Sequence, residues 1–91
     1  MKLTRARVII SGDVQGVGLR FHTRVKASTL GLKGFVRNLD SGDVEAVFEG
    51  EEDKVKEIIE WFRKGPAFAL VKNVKVEFED YTGEFESFET L

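Results

Sequence analysis

Apolar residues in this chain recur at two different periods, and the order in which those periods alternate most tightly limits what it can fold into. In some segments every second residue is apolar, the repeat of a half-buried strand. In others the spacing is three or four, the repeat of an amphipathic helix. From Arg5 to Gly12, Ala6, Val8 and Ile10 share one face, with Arg5 and Arg7 on the other. A helix is predicted from about Arg20 to Leu30, with Phe21 and Val25 as its apolar pair and Gly31 as its stop. Lys33 to Leu39 reads as a second strand. Asp40-Ser41-Gly42 turns the chain into a third, Asp43 to Glu49, where Val44, Ala46 and Phe48 alternate with charge. Val55, Ile58, Ile59 and Phe62 then form one stripe of a second helix. Glu51, Glu52 and Asp53 lie at its positive end, Arg63 and Lys64 at its negative end, and Gly65-Pro66 stops it. A connection with Phe68 and Leu70 leads to a fourth strand, Val71 to Glu79, in which Val74, Val76 and Phe78 alternate with Lys75 and Glu77. Tyr81-Thr82-Gly83 is a turn, and Phe85 to Glu89 a short fifth strand at an edge.

The order β-α-β-β-α-β predicts one α+β domain over residues 1–91: a ferredoxin-like sandwich with two helices on one face of a mostly antiparallel sheet. This topology makes the first and second strands parallel, with the third antiparallel between them. Both then end at the same edge of the sheet, about 10 Å apart (two strand spacings). The loop leaving the first strand and Asn38 at the end of the second should therefore flank one pocket.

That loop carries unusual chemistry. Residues Gly12 to Arg20 read Gly-Asp-Val-Gln-Gly-Val-Gly-Leu-Arg, between a strand and a helix start. Three glycines free the backbone to turn back and expose several N–H groups, and an arginine closes the run. Backbone donors, a helix N-terminus and a guanidinium converging on one point suit a phosphate-like dianion. The spacing matches neither G-x-G-x-x-G nor G-x-x-x-x-G-K-[ST], which disfavours dinucleotides and Walker-type nucleotide binding. A small anion is expected.

Composition narrows the partners. Ninety-one residues, 42% hydrophobic, support a single core. There is no cysteine, so disulfides and thiolate metal sites are excluded. No apolar run reaches membrane-spanning length, and Met1-Lys2-Leu3-Thr4 leads into a strand rather than a signal peptide, so a cytoplasmic protein is expected. A charged fraction of 33% and few amides (Gln15, Asn38 and Asn73) point to a thermophilic source. Residues 1–45 carry eight Lys/Arg against four Asp/Glu, while residues 46–91 carry six against twelve. The glycine loop thus lies in the basic half, and the acidic remainder would repel nucleic acid. The third strand also lacks the basic-Gly-aromatic run of RNA-binding sheets. Nothing argues for an obligate dimer, and a monomer is expected. His22 reads as a surface or capping residue, Trp61 and Phe62 as core or core rim, and Arg37, on the strand face opposite Asn38, as structural or solvent-exposed.

Two stretches together resemble the acylphosphatase family. One is Gly12, Val14, Gln15, Gly16, Val17 and Arg20. The other is Gly34-Phe35-Val36-Arg37-Asn38, followed by Gly42, Val44 and Gly50. Gly18 is similar to the prokaryotic form of the loop. Leu19 stands where the family usually has an aromatic residue, and Asp13 where it often has a neutral or basic one. The resemblance implies hydrolysis of the carboxyl–phosphate bond in small acyl phosphates, with no metal and no cofactor. It assigns phosphate binding to Arg20 and to the amides of Gln15, Gly16, Val17, Gly18 and Leu19, and water orientation to Asn38. Arg20 and Asn38 would be the catalytic pair.

This chemistry needs no general base near the loop. Cleavage releases a carboxylate whose conjugate acid has a pKa of about 4, so the group leaves unprotonated at neutral pH. Phosphoryl transfer through a loose transition state asks mainly for positioning and charge stabilisation. The alternative on this fold is a non-catalytic module that binds or senses a small anion.

Overall fold

The chain runs β1 (Leu3–Asp13), α1 (Leu19–Thr29), β2 (Lys33–Asn38), β3 (Val44–Glu51), α2 (Glu52–Lys64), β4 (Leu70–Glu79) and β5 (Phe88–Thr90). The structure, a computed structural model, describes residues 1–65 and 70–91. Pro66 and Phe68, assigned above to the helix stop and the connection, lie outside the described residues. The sheet order is β4-β1-β3-β2-β5. The first three neighbouring pairs are antiparallel, and β2–β5 is parallel. Since β3 pairs antiparallel with both β1 and β2, those two strands run the same way and finish at one edge. The expected ferredoxin-like α+β arrangement is the one observed. The fifth strand is shorter and later than Phe85 to Glu89 suggested. No helix among the described residues is long and apolar enough to cross a membrane.

Cross-strand register builds the core. Ala6 faces Phe48, Val8 faces Ala46 and Ile10 faces Val44, while Val36 meets Ala46 from the other side. All are fully buried, beneath Val55, Ile58, Ile59 and Phe62 of α2. Phe88 fixes β5 by stacking on Phe48, ring centroids 5.3 Å apart. Trp61 sits half-buried at the rim, one of the two places its spacing allows.

Two expectations fail, each for a physical reason. In α1 the buried face is Leu19, Thr23 and Ala27, whereas Phe21 and Val25 are 59% and 48% exposed. In β3 the charged residues that alternate with the core are also buried: Glu45 is 6% and Glu49 2% exposed. The face of the sheet away from the helices is covered by ion pairs and by the segment after β4. Arg7 Nη1 and Arg37 Nε reach Glu45 at 2.7 and 2.6 Å. Arg5 bridges Glu49 at 3.2 Å and Glu79 at 3.0 Å, and also pairs with Glu84. Thr82 donates its N–H and hydroxyl to Glu49 at 2.8 and 2.9 Å, and Gly83 N–H joins at 3.1 Å. The Phe85 ring packs against the Arg5 guanidinium.

Burial alone would push both carboxyls up. Hydrogen bonds from Arg37 and Arg7 outweigh it at Glu45, and those from Thr82 and Arg5 outweigh it at Glu49, so both titrate below the ordinary range. A lowered folded value stabilises above the unfolded value of about 4.3 and is lost as pH falls through the folded one. Tm should accordingly drop steeply below about pH 4. Glu49→Gln should remove about 2 kcal/mol at pH 7, since Arg5 keeps Glu79 and Glu84 but loses its most buried charged partner, and flatten the acid limb. Thermal melts of both proteins from pH 7 to 2.5 check this. A second expectation concerns Thr23, whose buried hydroxyl has no hydrogen-bond partner among the described residues. The isosteric Thr23→Val should raise stability by about 1 kcal/mol, read as a Tm increase of roughly 5 °C.

Candidate active site

Residues 14–18 connect β1 to α1 and are pinned from beneath. Val14 and Leu19 are 2% and 1% exposed, and Val17 packs against the core. Between these anchors Gly16 and Gly18 take positive φ angles of 75° and 80°. A Cβ at Gly16 would touch nothing within 4 Å, so glycine is required there by the backbone angle, not by space. Gly18 is the N-cap of α1, and no side chain among the described residues caps the helix. The first helical bond runs from His22 N–H to Gly18 O, at 3.1 Å. No backbone N–H from Gln15 to Phe21 meets a main-chain acceptor among the described residues. The donors that a Ser or Asp cap would satisfy are thus kept for something else.

Gln15 shows what holds this loop in place. Its Nε2 donates to the carbonyls of Leu39, at 2.8 Å, and Asp43, at 2.9 Å. Those carbonyls belong to the β2–β3 turn, which also bonds itself through Leu39 N–H to Asp43 O at 2.8 Å. One carboxamide therefore ties the glycine loop to the turn that follows Asn38.

Arg20 and Asn38, distant in sequence, line a single cavity of about 340 Å³. Gly16, Gly18 and Leu19 also contribute to its lining, whereas Gln15 and Val17 stand outside it. Asn38 is exposed, and its carboxamide has no protein hydrogen-bond partner among the described residues. Arg20 is half-buried and donates from Nη1 to the Leu91 carbonyl at 2.6 Å. Asp13 is exposed and off the lining, as is His22. The charged side chains on the lining are Arg20 and Arg24, so the cavity is positive. Among the described residues no group of three or more His, Asp or Glu could hold a metal ion.

Sequence reasoning missed Phe21, Arg24 and Thr90, which complete the lining. Arg24 was findable, since i+4 from Arg20 places it on the same helix face. Thr90 was not, because it arrives only through the parallel pairing of Val36 with Thr90. A larger groove of about 730 Å³ runs beside α2 around Trp61, Val76 and Phe78. It has no glycine-loop donors and lies on other elements.

The fold and this cavity define a ferredoxin-like domain with a cationic cavity at the shared end of β1 and β2. The acylphosphatase family model matches residues 6–90. A protein named acylphosphatase from Pelotomaculum thermopropionicum is 49% identical over 88 residues, covering 97% of this chain and 96% of that protein. Another, from Acaryochloris marina, is 54% identical over 85 residues, covering 93% and 90%. The solved structure of an acylphosphatase from Coxiella burnetii superposes with a TM-score of 0.91 at 40% identity, covering 98% of this chain and 93% of that one. The chain belongs to the acylphosphatase family.

The Gln15 contact predicts a separable effect. Both carbonyls it serves have another donor, from Gly42 or Leu39. Gln15→Ala should therefore cost only about 1 kcal/mol of stability. The untethered loop should weaken inorganic phosphate binding about tenfold. Phosphate titration beside a thermal melt distinguishes the two.

Proposed function

We propose that the chain hydrolyses the carboxyl–phosphate bond of small acyl phosphates, giving a carboxylate and inorganic phosphate by direct attack of a positioned water. The observation that carries this reading is one cavity that brings together the start of α1, the Arg20 guanidinium and the Asn38 carboxamide, the helix start uncapped and the carboxamide unpartnered among the described residues. The names of the relatives support it.

In this mechanism the phosphate group sits against the N–H groups between Gln15 and Leu19, the positive end of α1 facing its charge. Arg20 spends one N–H on Leu91 and turns others to phosphate oxygens, where planar, charge-assisted contact is strongest. Asn38 holds the attacking water. As the water oxygen bonds to phosphorus, the bond from phosphorus to the acyl oxygen breaks and its electron pair leaves on the carboxylate. The water proton passes to a phosphate oxygen. The leaving group needs no acid, so donors fixed in advance do the catalytic work. Leu19, buried under the loop, supplies the packing that an aromatic gives elsewhere in the family. A small-anion module would use the same cradle, but it would give Asn38 nothing to do. The reading is of a cytoplasmic enzyme acting as a monomer on small substrates rather than on nucleic acid.

Arg20→Ala should lower kcat/KM by about 100- to 1000-fold, and Arg20→Lys should be nearly as damaging, because a point charge cannot copy the fork. Asn38→Ala should lower kcat by about 100-fold and leave phosphate inhibition within about threefold. Hydrolysis of an aromatic acyl phosphate followed by absorbance, with chelator present, measures all three. Loss of phosphate binding with unchanged turnover in Asn38→Ala would overturn its assignment, and no turnover in the parent chain would leave only anion binding.

A further inference from the structure

We propose that Phe21 is the platform on which the acyl group of the substrate rests, so that this site prefers acyl phosphates with flat, apolar acyl groups. The inference builds on the hydrolytic reading and adds the part of the substrate that the phosphate cradle does not touch. The sequence pattern turns Phe21 toward the core, yet its ring is 59% exposed, and the small residues Thr23 and Ala27 take the buried face of α1 instead. A lone exposed phenylalanine is ordinary. This one stands on the lining of the cavity that holds Arg20 and Asn38. The other apolar side chains on that lining, Val14 and Leu19, are 2% and 1% exposed. Among the described residues, Phe21 is therefore the apolar surface that the cavity offers to a ligand.

Its setting suits that task. The ring meets His22 edge to face, centroids 5.4 Å apart and planes at 84°, which braces its orientation. The cavity, about 340 Å³, falls within the roughly 300–1,000 Å³ of small-molecule sites and has room beyond a phosphate. In-line displacement puts the leaving acyl oxygen opposite the attacking water. With the water on Asn38, at the end of β2, the acyl group departs on the α1 side, where Phe21 occupies the first turn.

Two ligands that cannot be hydrolysed isolate the effect. Phenacylphosphonate and acetonylphosphonate carry a methylene in place of the bridging oxygen and differ only in a phenyl against a methyl group. In calorimetric titrations the parent chain should bind the phenacyl compound about tenfold more tightly. Phe21→Ala should bring the two affinities within about twofold of each other, and Phe21→Trp should retain the preference. A ratio unchanged in Phe21→Ala overturns the platform, as does a parent chain with no preference. If both ligands weaken equally, the residue is merely structural and the proposal fails. Turnover of benzoyl phosphate by the parent chain, measured in parallel, reports separately on hydrolysis. A tenfold preference without turnover would retain the apolar platform and sink the reaction.

Discussion

The pairing of β3 with β1 on one side and β2 on the other is the constraint from which the site follows. An antiparallel strand between two neighbours forces those neighbours to run parallel and stop together. Arg20 follows β1 by way of a short loop, and Asn38 closes β2. Neither position would mean anything alone. The sheet converts eighteen residues of separation into two walls of one cavity. Only local tethers are then needed, and Gln15 supplies one by joining the loop to the β2–β3 turn.

The helix start shows how stability and chemistry are divided. A side-chain cap on α1 would be worth about 1 kcal/mol. The chain forgoes it and keeps a glycine in left-handed geometry at the N-cap, beside the cavity that Gly18 lines. Compensation lies elsewhere: Phe48 between Phe62 and Phe88, the buried stripe of α2, and the arginine–carboxylate network on the opposite sheet face. An isolated surface pair contributes little, but carboxylates as buried as Glu45 and Glu49, the latter also accepting backbone donors, behave as part of the interior.

The sequence displayed its strands and second helix because strict apolar periods survive any tertiary context. It misreported α1 because hydrophobicity cannot distinguish a side chain that feeds the core from one left exposed on the surface. Thr23 and Ala27 give too weak an apolar signal to correct the error. In β3, charge alternation looked like a solvated face. The partners that bury Glu45 and Glu49 come from β1, β2 and residues 82–83, which no local window relates. Arg20 and Asn38 were legible through topology and resemblance together. The carboxamide tether and the contributions of Thr90 and Leu91 were not, since each depends on contacts distant in sequence.

The links from Glu49 to residues 82–83 and from Arg20 to Leu91 also bear on when the molecule is finished. During synthesis the first helix and the central strand leave the ribosome well before those residues do. Until they emerge, the central strand carries a carboxylate without its backbone donors, and the guanidinium lacks its anchor. Such distant closures are slow relative to hairpins and helices. Assembly of this pocket therefore waits on a residue made 71 positions after Arg20.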